Sequence, residues 1–353
     1  MIYTINNCIR AFGYTNFDSL IEDKGSIDGL KEYVRANGYA DIAVAEDTEL
    51  LLVDVNGKTW HTGCYGAKLE PEPGPEPERD YLCFTSTGDS TVAMHQEGTP
   101  DSSANKVIQY KLNNGQWQTW YLSAVTLHDG DKMYLKSDDE IPISESYSIY
   151  KQFEMTGSIA ASGNIMSLLN FSTTLSDCAF YYLFKDCTSL TQAPELPATT
   201  LAENCYAYMF YNCTSLVQSP ELPATTLVFN CYTNMFNSCT SLVQAPALPA
   251  TTLADGCYAE MFRDCSSLTT APELPATTLV YGCYYCMFAL CLKLNYVKAL
   301  FTDISAEICL VSWLTGVSDT GTFVKNAAAT WTNEQAGIPT GWTVQVEGGV
   351  TPE

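Results

Sequence analysis

Three observations predict a mixed, multi-domain fold: a 26-residue pattern repeated from Cys187 onward, a Glu/Pro run at residues 69–79, and several short strand-like runs between the two. The pattern reads C-[TS]-S-L-x-x-[AS]-P-x-L-P-A-T-T-L-x-x-x-C-Y-x-x-M-F-x-x, with Cys187, Cys213, Cys239, Cys265 and Cys291 marking its register. Phe184, Phe210, Phe236, Phe262 and Phe288 keep the same step, as do Leu190, Leu216, Leu242, Leu268 and Leu294. A fixed period in this range with leucines in phase predicts a leucine-rich-repeat solenoid, in which each coil packs only on its neighbours. The expected fold is therefore a small α/β N-terminal domain, a β-sandwich, and an α/β solenoid closed by a C-terminal cap.

Residues 1–68 read as the small α/β domain. Leu30, Tyr33 and Val34 have helical spacing within Asp28–Val34, and Gly38 sits where a helix stops. Ile42–Val44, Leu50–Val55 and Lys58–Thr62 read as strands, the last two joined at Asn56-Gly57, a strong hairpin signal. At 69–79 the alternating Glu and Pro of LEPEPGPEPER cannot form a core or an inner strand, and they predict a semi-rigid linker.

Residues 80–156 read as the sandwich. Leu82–Ser86, Val107–Leu112, Trp117–Leu122 and Lys132–Leu135 are short strand-like runs, punctuated by turn residues at Asn113-Asn114-Gly115 and Asp129-Gly130-Asp131. The solenoid is expected over 157–310. In each coil Cys-x-Ser-Leu-x-x-Ala-Pro should supply a short strand with leucine inward, and Leu-Pro-Ala-Thr-Thr-Leu a turn off the sheet. Cys-Tyr-x-x-Met-Phe should supply a returning helical turn. Residues 311–353, with Trp331 and Trp342, are expected to cap the stack and end in a tail.

The 17 basic and 40 acidic residues leave a formal charge of −23, which repels phosphate backbones and anionic membranes, so nucleic acid is not an expected partner. No run of about 18 apolar residues predicts a membrane span. The start, MIYTINNCIRAFGYTNFDSL, lacks the pattern of a secretory signal, and synthesis in the cytoplasm is the corresponding expectation. The 15 cysteines fall mainly into two ladders, Cys205/Cys231/Cys257/Cys283 and Cys187/Cys213/Cys239/Cys265/Cys291. A helix across the eight residues between ladder members would span about 12 Å, too far for a disulfide, so buried free thiols are expected. Cys283 and Cys286 have C-x-x-C spacing but no matching histidines, and neither metal nor cofactor is expected.

No catalytic constellation stands out. His61, His95 and His128 lie beside predicted strands or turns, outside the repeats, and Glu195, Glu221 and Glu273 recur as repeat residues with Ala247 in the remaining coil. Asp129, Asp131 and Asp138-Asp139-Glu140 are acidic loops that fit no EF-hand. The expectation is a binding protein rather than an enzyme. The positions that differ between coils are the candidate ligand-binding residues: Glu203, Phe229, Asp255 and Tyr281; Tyr208, Asn234 and Glu260; Tyr211, Asn237 and Arg263. Exposed aromatics beside Arg and Asn suit contacts with a glycan or a protein. The ladder Thr191-Gln192, Val217-Gln218, Val243-Gln244, Thr269-Thr270 is a second candidate surface, along the sheet face.

These repeats resemble the BspA-like leucine-rich-repeat surface proteins, in the 26-residue variant found in anaerobic gut bacteria and their phages. The resemblance runs from Met155 to about Val346, through the M-F-x-x-C-[TS]-S-L core, the A-P-x-L-P-A-T-T-L stretch and the G-I-P-T-G-W-T-V ending. It implies adhesion or recognition at a surface and brings no catalytic residues. Joined to a start without an export signal, it gives the expectation of a bacteriophage virion component, a head or tail fibre or decoration protein on the virion surface. Such a protein would bind other virion proteins through residues 1–68 and a host-surface glycan or protein through the repeats, as a homo-oligomer. The alternative is a bacterial cell-surface adhesin.

Overall fold

The computed structural model describes residues 27–36, 41–44, 49–53, 56, 59–65, 79–99 and 106–348. The chain divides into two units, Met1–Arg79 and Asp80–Glu353. The 69–79 linker lies outside the described residues except for Arg79.

In the first unit, helix α1 (Ile27–Ala36) precedes an antiparallel sheet of β1 (Asp41–Val44), β2 (Glu49–Val53) and β3 (Thr59–Tyr65), in the order β1-β2-β3. Val53 pairs with Thr59 across the turn that contains Asn56, where the Asn-Gly signal places the hairpin. Val34 is buried.

The second unit begins as two sheets. Strands β4 (Leu82–Ser86), β6 (Gln109–Leu112), β7 (Gln118–Thr119), β9 (Lys132–Lys136), β11 (Ile159–Ser162) and β12 (Leu190–Gln192) form one, in the order β12-β11-β4-β9-β6-β7. Strands β5 (Ser90–Glu97), β8 (Val125–Leu127) and β10 (Tyr150–Thr156) form the other, in the order β10-β5-β8. Phe84 of the first sheet meets Phe153 of the second at 5.0 Å, and Trp120 stacks on Phe153 at 6.2 Å. The alternation of β5 and β10 puts Val92, Met94, Phe153 and Met155 inward. Strand β12 belongs to the first coil of the repeats and pairs in parallel with β11, so sheet and solenoid are continuous. Phe153 also stacks on Phe184 at 5.0 Å, and one buried cluster runs from Leu82 to Trp342.

The expectation of an α/β solenoid is overturned. Among the described residues the one α-helix is α1, and every coil returns through turns instead. The reason lies in the backbone. Asn204, Tyr208 and Asn212 have positive φ, as do Asn230, Asn234 and Ser238, then Gly256, Glu260 and Asp264, then Gly282, Cys286 and Leu290. A left-handed residue every fourth position breaks a helix and makes a chain of linked turns. Within one such segment, the amides of Ala207, Met209, Tyr211 and Cys213 each donate three residues back, at 3.1–3.2 Å. The intervening amides of Asn204, Tyr206, Tyr208, Phe210 and Asn212 donate instead to carbonyls of the next coil, at 2.8–3.1 Å. A helix would spend nearly all its amides on itself, whereas this arrangement uses alternate amides to weld coil to coil. Strand pairing elsewhere in the coil is thin, as single parallel bridges such as Gln218↔Gln244 and Thr226↔Thr252.

The core side chains stack in register. Phe184, Phe210, Phe236, Phe262 and Phe288 lie 5.3–5.6 Å apart, and Tyr206, Tyr232, Tyr258 and Tyr284 lie 5.9–6.2 Å apart. Leu190, Leu216, Leu242, Leu268 and Leu294 are fully buried, inward as expected. The described cysteines with known surroundings are free thiols. In the second ladder, the Sγ atoms of Cys213, Cys239, Cys265 and Cys291 donate to the carbonyls of Phe184, Phe210, Phe236 and Phe262 at 3.0–3.1 Å. At the far end β13 (Tyr296–Ala299), β14 (Gly321–Lys325) and β15 (Trp342–Val346) form a parallel sheet. Trp313 closes both aromatic ladders, and its indole donates to the Ala336 carbonyl at 2.7 Å.

Candidate functional site

Two surfaces of the solenoid present side chains at every coil. The first is the linked-turn face, which holds all ten variable positions. Glu203, Phe229, Asp255 and Tyr281 form an exposed row, with Phe229 46% and Tyr281 51% accessible. This row precedes the buried Cys of each turn segment, so its side chains are directed away from the core. The other two columns are less uniform. Asn234 and Asn237 are buried, and the Asn237 Nδ2 donates to the Asn234 Oδ1 at 2.7 Å, so these two lock a turn instead of facing solvent. Glu260 and Arg263 pair at 3.0 Å on the surface.

Tyr208 and Tyr211 join an aromatic cluster that the sequence reading does not anticipate. Tyr182 packs against Tyr150 at 4.8 Å, Tyr181 at 4.1 Å and Tyr208 at 5.1 Å, and Tyr208 meets Tyr211 at 5.9 Å. The Lys185 ammonium lies 5.4 Å from the centre of the Tyr182 ring and 2.6 Å from the Asp186 carboxylate. Tyr150 comes from β10 and the others from the first two turn segments, so only the folded junction assembles the group. Desolvation pushes the Tyr181 and Tyr208 hydroxyls above their ordinary range, so both rings stay neutral.

The second surface is concave. Three depressions line up along the A-P-x-L-P segments, and adjacent ones share lining residues: Gln218, Pro220, Glu221 and Pro223 between the first two, Ala247 and Pro249 between the second and third. Their volumes are 600, 480 and 270 Å³. Together they form one trough across four coils, into which the Gln192, Gln218 and Gln244 ladder falls. Glu195 and Glu221 line it, are exposed, and have no cationic partner among the described residues. Glu273, at the far end, is held by Lys298 at 3.1 Å, and Lys298 also reaches Glu347 at 2.9 Å.

The remaining sequence candidates are scattered. His95 contacts Glu97 at 3.2 Å and His128 contacts Asp89 at 3.0 Å, both on the exposed surface, and the Asp89 carboxylate raises the His128 pKa. The side chain of His61, in β3, lies outside the described residues. The acidic loops are engaged internally: Asp139 takes the buried Lys106 ammonium at 2.7 Å, Asp138 lies 3.3 Å from Lys136, and Asp131 accepts from Asn113 at 2.8 Å. Burial lowers the Lys106 pKa, while the Asp139 carboxylate opposes that shift. Among the described residues no group of three or more His, Cys, Asp and Glu is placed to hold a metal ion, and no helix is long and apolar enough to cross a membrane. Comparison with protein-family models, curated proteins and solved structures finds no match in any of the three.

Proposed function

We propose that this protein is a bacteriophage virion adhesion component, a fibre or decoration protein that recognises a host-surface ligand through its solenoid. The observation that supports this most is the construction of the coils. Alternate amides bond each coil to the next, and stacked Phe and Tyr rings fix the spacing, so the outer side chains are held in rows on a rigid scaffold. Preorganised surfaces of this kind bind without the ordering cost that flexible loops incur. The resemblance of the repeats to the BspA-like surface proteins points the same way.

The thiols support assembly in a reducing compartment. Ladder cysteines in adjacent coils remain free and neutral, as suits a particle built in the cytoplasm and released by lysis. In this reading residues 1–68 attach the protein to the particle, as one member of a homo-oligomer.

Immunogold electron microscopy of a producing culture, with antibody against residues 157–348, tests the proposal. Gold on phage particles is the expected result. Gold on the bacterial envelope alone would replace it with the cell-surface adhesin.

A further inference from the structure

We infer that the trough along the A-P-x-L-P segments is a binding site for a linear, uncharged polysaccharide, seated with one sugar unit per coil. The inference deepens the adhesion reading and rests on it.

The first argument is periodicity. The trough presents the same chemistry at each step: Gln192, Gln218 and Gln244 in one series, and exposed Pro197, Pro223 and Pro249 in another. A surface that repeats itself fits a ligand that repeats itself. The core sets the step at 5.3–5.6 Å along the phenylalanine ladder and 5.9–6.2 Å along the tyrosine ladder. An extended peptide returns a side chain to the same face every two residues, about 6.7 Å, and drifts out of register within a few coils. A polyproline helix returns every three residues, about 9.3 Å, and fits no better. A pyranose in a linear chain advances by about the thickness of one coil, and because its ring carries hydroxyls around the rim and C–H groups on both faces, each coil meets the same kinds of group even where successive rings alternate faces.

The second argument is chemistry. Proline rings offer rigid apolar faces for the C–H face of a sugar and lose no side-chain entropy on binding. Glutamine amides both donate and accept, and a carboxylate accepts from two vicinal hydroxyls at once. The third argument is charge. Glu195 and Glu221 lack cationic partners among the described residues, and the whole chain carries −23, so an anionic polymer is repelled from the trough.

The experiment uses the full chain and a panel of linear glycans: neutral hexasaccharides of different linkage, their monosaccharides, and an oligogalacturonate as the anionic control. Calorimetric titration is expected to show binding of at least one neutral hexasaccharide, none of its monosaccharide, and none of the oligogalacturonate. Glu221→Ala should weaken that binding about tenfold, while Glu221→Gln should retain most of it. Glu221 is exposed, so neither substitution puts the fold at risk. Tyr121→Ser, at an exposed ring outside both solenoid surfaces, should leave the affinity unchanged. Failure to bind any neutral glycan overturns the inference, as does binding that is indifferent to Glu221→Ala or sensitive to Tyr121→Ser. Attachment to host cells separates this from the broader reading. If wild type and Glu221→Ala attach equally, the trough is wrong and adhesion stands. If wild type does not attach, both fall.

Discussion

In each coil a cysteine thiol occupies a place where a hydroxyl would be too polar and an alanine too small. Cys213 and its equivalents are fully buried in the core and still donate one weak hydrogen bond to a phenylalanine carbonyl. Burial disfavours the thiolate, and the thiols of Cys231, Cys239, Cys283 and Cys291 are pushed up to about 12. An unfolded cysteine releases its proton above about 8.5. The folded chain then holds protons that the unfolded chain gives up, so stability is complete below that pH and falls as pH climbs toward about 12. Denaturant unfolding followed between neutral pH and about pH 11 should show a steep loss above pH 9, shared by several thiols; a flat profile would contradict their burial. The tyrosine ladder yields a second expectation. The Tyr206 and Tyr232 hydroxyls are buried without a hydrogen-bond partner in the protein. Tyr232→Phe should therefore be neutral or stabilising, by up to about 1 kcal/mol, where Phe236→Ala should cost about 3–5 kcal/mol. Urea denaturation of the two variants checks both.

At the scale of the element, the linked-turn segment explains what sequence reading captures and what it misses. Cys205, Met209 and Cys213, like Tyr206 and Phe210, sit four apart, a spacing that a helix of 3.6 residues per turn also produces. A chain of turns with a left-handed residue every fourth position imitates that period. The distinguishing signal is the residue before each ladder cysteine: Asn204, Asn230, Gly256 and Gly282 in one series, Asp186, Asn212, Ser238, Asp264 and Leu290 in the other. Several of these are Asn, Gly or Asp, which tolerate the left-handed region and are poor choices for the middle of a helix. Gly256 and Gly282 make this testable. Gly282 has φ of +58° with only ordinary contacts awaiting a Cβ, so Gly282→Ala should cost about 1–2 kcal/mol from backbone strain. At Gly256 a Cβ would also run into the Asn230 side chain, so Gly256→Ala should lower the melting temperature further. Equal effects would mean that the turn geometry differs from the one described.

The candidate site is legible to a similar depth. Comparison of the coils finds the turn face, because positions that vary are those the core does not fix. It cannot tell that Asn234 and Asn237 turn inward to bond each other while Tyr208 and Tyr211 join a cluster with Tyr150, since these outcomes depend on neighbours 26 or more residues away. The trough is harder to find by that route. Its residues repeat almost unchanged, and repetition in a solenoid reads first as packing. The Gln192, Gln218, Gln244 ladder is visible in the sequence as a face, but only the folded coils show that it is concave.

At the scale of the molecule, Asp80–Glu353 is one body. The first repeat strand pairs with β11, Phe84 and Phe153 touch the first ring of the phenylalanine ladder, and Trp313 closes the other end. A stack built this way has the rigidity that a row of recognition sites needs, and the bonds responsible are the amides that link coil to coil. Amide hydrogen exchange, read by mass spectrometry on the intact chain at neutral pH, tests that claim most directly. Peptides covering 204–213, 230–239, 256–265 and 282–291 should exchange as slowly as those covering β5 and β10. Rapid exchange in the four turn segments, with β5 and β10 still protected, would contradict the coil-to-coil bonding on which the binding surfaces depend.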